Sequence, residues 1–247
     1  MFPLRDHNPS GRKPFVTWLL IAVNVGIFLS YYPMGTEDSI YNLFYTYGLV
    51  PRYLESGFAY GTLISHMFLH GGWMHLAGNM LFLYIFGDNL EDEMGHLGFI
   101  GFYVLCGLVA AFAQIVLDEN SGVPMVGASG AIAGVMGGYL LLYPKAKIDV
   151  LFIFIIFFRV FTIPAWIVLL VWIGLQLTSG FSLASSGDGV AYWAHVGGFG
   201  AGLVVTGILW LRRGGPDYWS RNLGKPPHPE ATYTLGRSHI PKVPRRD

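Results

Sequence analysis

Six apolar runs, at 15–32, 72–86, 97–117, 128–143, 163–180 and 190–211, decide what this chain can fold into. A hydrocarbon core of about 30 Å takes about 20 largely apolar residues as a helix. A helix also satisfies its own backbone polar groups, which lipid cannot. The runs therefore predict an all-α membrane protein, a six-transmembrane-helix bundle over residues 15–211. Composition agrees, with 53% hydrophobic and 12% charged residues, against about 25% charged in an ordinary soluble domain. The first run is long and ends in the polar "FLSYYPMGTED", with no small-residue cleavage site behind it. It reads as a retained helix rather than a signal peptide. Residues 148–158 are apolar but too few to cross, and Arg159 and Pro164 separate them from the fifth run. They read as an interfacial approach to it.

Lysine and arginine near span ends favour the cytoplasm. Arg5, Arg12 and Lys13 precede the first run, Lys145 and Lys147 follow the fourth, and Arg212 and Arg213 follow the sixth. Six spans put all of these on one side and make both termini cytoplasmic. The opposite side receives the long first loop with Arg52, the "LDENSGVPM" turn and the Ser/Gly-rich "SGFSLASSGDG". The acidic "DNLEDEMGH" reads as a cytoplasmic loop, since carboxylates weigh little in this rule. Residues 1–14 form a cytoplasmic segment, and the Pro-rich, basic 212–247 reads as a disordered cytoplasmic tail. Lys plus Arg and Asp plus Glu balance at 15 each, so no global field argues for nucleic acid. The single cysteine, Cys106, lies in an apolar run and reads as a small buried hydrophobe.

Polar side chains inside spans are costly and mark function. The second, fourth and sixth runs start on the outer side, so His75, Asn79, Ser129 and His195 share one depth. His75 and Asn79, four apart, lie on one helix face about 40° from each other. Ser129 opens the fourth helix, where free N–H groups and the dipole favour a nearby oxyanion. His195 is followed by Gly198 and Gly202, a small-residue face that admits a close helix. The fourth helix offers Gly130, Gly134 and Gly138. If these faces pack, Ser129 and His195 come within hydrogen-bond reach, as a base activates a serine.

With these residues in view, the chain resembles the rhomboid intramembrane serine proteases. The resemblance rests on "HGGWMHLAGN" with its His-x-x-x-Asn spacing, on "GASG" around Ser129 and on "AHVGG" around His195, in that order, and covers roughly residues 15–211. It implies a six-helix rhomboid bundle around a water-filled cavity open to the outer side of the plasma membrane. Ser129 would be the nucleophile and His195 the general base, without a carboxylate. His75, Asn79 and the Ser129 N–H would form the oxyanion hole, and Gly127 matches the first glycine of the nucleophile motif. The reaction implied is hydrolysis of peptide bonds near the outer end of transmembrane helices, in single-span or other membrane proteins, with no cofactor and no metal. Substrate would enter past the fifth helix, with residues 179–189 as a mobile lid.

Two positions depart from the family pattern. Ala133 stands where many members carry an aromatic under the catalytic imidazole, so support for His195 has to come from elsewhere. Gly61 and Thr62 replace a Trp-Arg pair in the first loop, so that loop needs other anchors. His66 and His70 match histidines expected to serve loop structure. Their spacing would suit a zinc pair, but "HMFLH" lacks the glutamate of H-E-x-x-H. An aspartyl mechanism would need Asp88 and Asp188, which fall in loops on opposite sides. A non-catalytic binder or chaperone on the same fold would lose Ser129 or His195, and a transporter would carry charges within its helices or an internal repeat.

Overall fold

The structure is a computed structural model that describes residues 2–56, 60–154, 157–183 and 190–233. In chain order its elements are β1 (Phe2–Asp6), α1 (Phe15–Tyr31), α2 (Glu37–Tyr47), α3 (Thr62–Ser65), α4 (Trp73–Met94), α5 (His96–Leu117), α6 (Ser129–Leu142), β2 (Lys147–Phe154), β3 (Phe157–Pro164), α7 (Ala165–Leu183), α8 (Tyr192–Arg212) and α9 (Pro216–Asn222). By length and composition α5, the Ala165–Ser182 part of α7 and α8 can cross a membrane, while α1 and α6 are apolar but shorter.

The bundle is built around α6. Eleven of its 14 residues are buried, as expected of a helix apolar on every side. At 1.5 Å per residue it is only about 21 Å long, less than the thickness of a hydrocarbon core. Its most extensive partner is α8, followed by α5. Glycine allows that approach: a Cβ on Gly198 would collide with the Gly130 carbonyl, one on Gly202 with the Gly134 carbonyl, and one on Gly137 with that of Phe199. Gly138 continues the seam, 2.8 Å from its Cβ position to Thr206 Cγ2. Cys106 is buried and free, beside Gly134.

Two helix starts are held by distant side chains. Pro14 gives α1 no side-chain cap. The buried Glu91 supplies one, accepting from the N–H groups of Val16 and Thr17 at 2.8 Å and from Thr17 Oγ1 at 2.7 Å. A carboxylate at a helix N-terminus meets both the orphan donors and the dipole. Gln114 Oε1 of α5 likewise accepts from Ala194 N at the start of α8.

At the end of α6 remote from Ser129, β1, β2 and β3 form a three-stranded antiparallel sheet. This corrects the all-α expectation: of residues 148–158, read as an interfacial approach, 148–154 belong to β2 and 157–158 open β3, and 155–156 lie outside the described residues. Phe152, Phe161, Val160 and Ile148 are strand formers, and the antiparallel pairing of β2 with β3 brings the start of α7 back beside the end of α6, where Ala165 N donates to Ala146 O at 2.8 Å. The segment before the first helix is also structured, because β1 pairs with β2. The buried Asp149 locks this arrangement, accepting from Arg5 Nε at 2.9 Å and Thr162 Oγ1 at 2.6 Å, with His7 Nε2 at 2.8 Å.

The disordered-tail expectation is corrected as far as Tyr233. Helix α9 packs Trp219 on Trp210, with ring centroids 4.8 Å apart, and Trp219 Nε1 donates to Leu141 O at 3.0 Å. Further on, Ala231 N donates to His7 O, and Glu230 accepts from Lys147 and Lys225 at 2.7 and 2.5 Å. Aromatic residues scattered among prolines supply the buried surface that the tail's composition hides. The "DNLEDEM" stretch, expected as loop, forms the last two turns of α4, so Asp88 lies on a helix. The start of the expected lid, from Ser179, is the end of α7. The rest of that stretch, with Asp188, and the tail beyond 233 lie outside the described residues.

Candidate active site

The N-terminal parts of α4, α6 and α8 bring the polar residues of the second, fourth and sixth runs together. Ser129 is the first residue of α6, and the first intrahelical bond runs from Ile132 N to Ala128 O. The N–H groups of Ser129, Gly130 and Ala131 therefore have no carbonyl partner within the helix. His195 lies in the first turn of α8. Its Nε2 is 2.7 Å from Ser129 Oγ, made possible by the glycine seam below them.

The other ring nitrogen of His195 meets a residue that the reading of polar positions passed over. Nδ1 lies 2.7 Å from Gln176 Oε1 on α7. Trp172, one turn earlier on the same helix, sets its ring 5.6 Å from the imidazole at 43°. Ala133 is fully buried in the core, so the support missing there comes from α7 instead. The signal was present in the sequence: Gln176 is an amide within an apolar run, the same criterion that selects Ser129 and His195.

His75 and Asn79 line the same cavity, of about 940 Å³, as Ser129, His195, Trp172 and Gln176. Gly71 N–H donates to His75 Nδ1 at 3.3 Å, so the proton of the neutral ring resides on Nε2. A Cβ on Gly127 would stand 2.7 Å from that Nε2 and 3.6 Å from Asn79 Nδ2. Both side-chain donors thus converge on the backbone just before Ser129. Asn79 Nδ2 is buried with no hydrogen-bond partner among the described residues, a costly state unless something else accepts from it. Gly127 has φ +128°, a region that favours glycine, and both its conformation and the His75 ring stand against a side chain there, while Asn79 is at ordinary contact distance.

His66 and His70 tie the loop through their backbone atoms, their buried ring nitrogens having no hydrogen-bond partner among the described residues. His66 O accepts from Gly127 N at 2.9 Å, and His70 O and N both bond Tyr31 Oη at 2.7 Å. Burial pushes His66 down to about 4 and His70 to about 3, so neither is charged at neutral pH. Among the described residues no three His, Cys, Asp or Glu side chains converge as a metal site. The first loop, lacking the Trp-Arg pair, is tied by a bridge between Leu49 and Met125, with N···O distances of 3.0 and 2.7 Å, and by Arg52 on Asn120 O.

The Rhomboid domain model matches residues 58–212. RHOMBOID-like protein 5 of Arabidopsis thaliana is 33% identical over 156 residues, 63% of this chain and 45% of that protein. Rhomboid-like protein 11, chloroplastic, of the same plant is 32% identical over 131 residues, 52% of this chain and 42% of the relative. Rhomboid protease GlpG of Haemophilus influenzae is 26% identical over 195 residues, 79% of this chain and 88% of that one. The chain spans less than half the length of the two plant relatives and most of the bacterial one. Because the model covers more than half of its length, from before α3 to the end of α8, the chain belongs to the rhomboid family and is an integral membrane protein.

Proposed function

We propose that the protein is a six-span intramembrane serine protease with Ser129 as nucleophile and His195 as general base. The observation that carries this reading is the 2.7 Å contact between Ser129 Oγ and His195 Nε2 in a cavity edged by the unpartnered Asn79 Nδ2. The Oγ proton passes to Nε2 as Oγ attacks the carbonyl carbon of the scissile bond. The oxyanion that forms accepts from the Ser129 N–H, Asn79 Nδ2 and His75 Nε2–H. Imidazolium Nε2–H then protonates the leaving amine, and water, deprotonated by the same nitrogen, hydrolyses the acyl-serine.

Helices α1, α4, α5, α6, α7 and α8 are the six spans. The shortness of α6 supports a submerged nucleophile: with its far end at one surface, Ser129 lies about 10 Å inside the other. Water reaches it through the cavity. The lysines and arginines near the span ends support cytoplasmic termini with the cavity facing outward, and the membrane proposed is the plasma membrane. Substrates are single-span or other membrane proteins, cut near the outer ends of their helices, where local unwinding exposes a peptide bond. No cofactor is required. The test is cleavage, in liposomes, of a single-span substrate bearing a small residue at its outer helix end. The intact protein cuts it and Ser129→Ala does not. Absence of cleavage by folded protein would favour a non-catalytic binder on the rhomboid fold.

A further inference from the structure

We propose that Gln176 is the positioning residue of His195: its side-chain oxygen holds Nδ1–H, fixing the ring orientation and the tautomer that leaves Nε2 free for Ser129. The inference rests on the protease reading for its catalytic consequence but not for its geometry. An amide oxygen only accepts, so the nitrogen 2.7 Å from Gln176 Oε1 must carry a proton. In a neutral imidazole the other nitrogen is then the acceptor, and it lies 2.7 Å from Ser129 Oγ. A free neutral imidazole exchanges between two tautomers, of which only this one can take the serine proton.

Trp172 completes the clamp. Spaced four residues from Gln176 on α7, it lies on the same helix face, covering one side of the ring at 5.6 Å while the amide holds its edge. The neutral amide oxygen occupies the place that a carboxylate holds in a serine–histidine–aspartate triad. Because both groups are carried by α7, an outward displacement of that helix would remove acceptor and ring support together.

The test combines ¹⁵N-histidine NMR in micelles with cleavage kinetics. The His195 signal, identified by its loss in His195→Ala, should report the Nδ1–H tautomer in the intact protein. Gln176→Leu, which fills the space without an acceptor, should shift it toward a mixture and lower kcat by about tenfold or more, with KM nearly unchanged; general-base catalysis contributes about 10²- to 10⁴-fold. Gln176→Glu, which keeps an acceptor at the same reach, should keep the tautomer and most of kcat. A Gln176→Leu protein with unchanged tautomer and unchanged kcat overturns the proposal. A protein that shows the tautomer and its dependence on Gln176 yet cleaves nothing would support the positioning and remove the protease reading, so the two failures are distinguishable.

Discussion

Gly198 of α8 lies against the carbonyl oxygen of Gly130 in α6 so closely that no Cβ fits between them. Gly130 follows Ser129, and Gly198 is one turn beyond His195, so this contact sets the separation of the two side chains. Replacing Gly198 by Ala should therefore cost stability, by about 1–3 kcal/mol for overpacking, and lower cleavage by more than the loss of folded protein accounts for. Thermal unfolding in detergent and turnover of the folded fraction check both. Gly200→Ala, at a position with open space around it, should change neither.

Asn79 and His75 should behave as donors to a transient charge. Asn79→Ala lowers kcat by about 10²- to 10³-fold, the scale for one oxyanion donor, while KM changes little. Full activity in a protein lacking both side chains would exclude the oxyanion role. Gly127→Ala should be as damaging as either, since the new methyl would crowd the His75 ring and force a strained φ.

Glu91 makes a different kind of contribution, remote from the chemistry. Glu91→Ala leaves the N–H groups of Val16 and Thr17 and the Thr17 hydroxyl without their acceptor. The expected cost is about 1–3 kcal/mol per stranded buried group, read as a lower unfolding temperature. Turnover of the protein that remains folded should be unchanged.

How much of this was legible can be argued from particular residues. Apolar runs located α1, α5 and α8 closely, because lipid-facing and core-facing positions of such helices are both apolar. The meeting of Ser129 with His195 was legible through the spaced glycines, whose only strong physical use is close helix approach. The sheet was not: ten or so apolar residues beside a span have no periodicity that separates strand from interfacial helix, and β1 pairs with a partner more than 140 residues away. The end of α4 was missed because its acidic turns look like loop, although Glu91 is in fact buried beneath α1. Gln176 was legible as a polar residue in a span, but its partner was not, since nothing local gives the rotation of α7.

Asp6 ties β1 to the bundle, accepting from Tyr139 Oη at 3.1 Å and from Asn8 and Asn89 at 3.3 and 3.4 Å. Burial, and secondly the charge of Asp88, raises its carboxyl from 3.8 to about 7. A carboxyl with a higher pKa folded than unfolded binds more protons in the folded state between those values. Its stabilising effect is thus complete below about pH 4 and is lost as pH rises toward 7. Asp6→Asn removes that dependence. Unfolding temperatures at pH 5 and pH 8 should show the variant gaining on the intact protein at the higher pH, and an equal difference at both would refute the assignment.

The central claim is that His195 activates Ser129, and covalent labelling by a fluorophosphonate tests it most directly. The account predicts that Oγ displaces fluoride and that the phosphonyl group is found on Ser129 of the intact protein. Labelling should be absent in Ser129→Ala and strongly reduced in His195→Ala, with both variants folded. Labelling of Ser129 that is undiminished by His195→Ala, or an unlabelled Ser129 in well-folded intact protein, would contradict it.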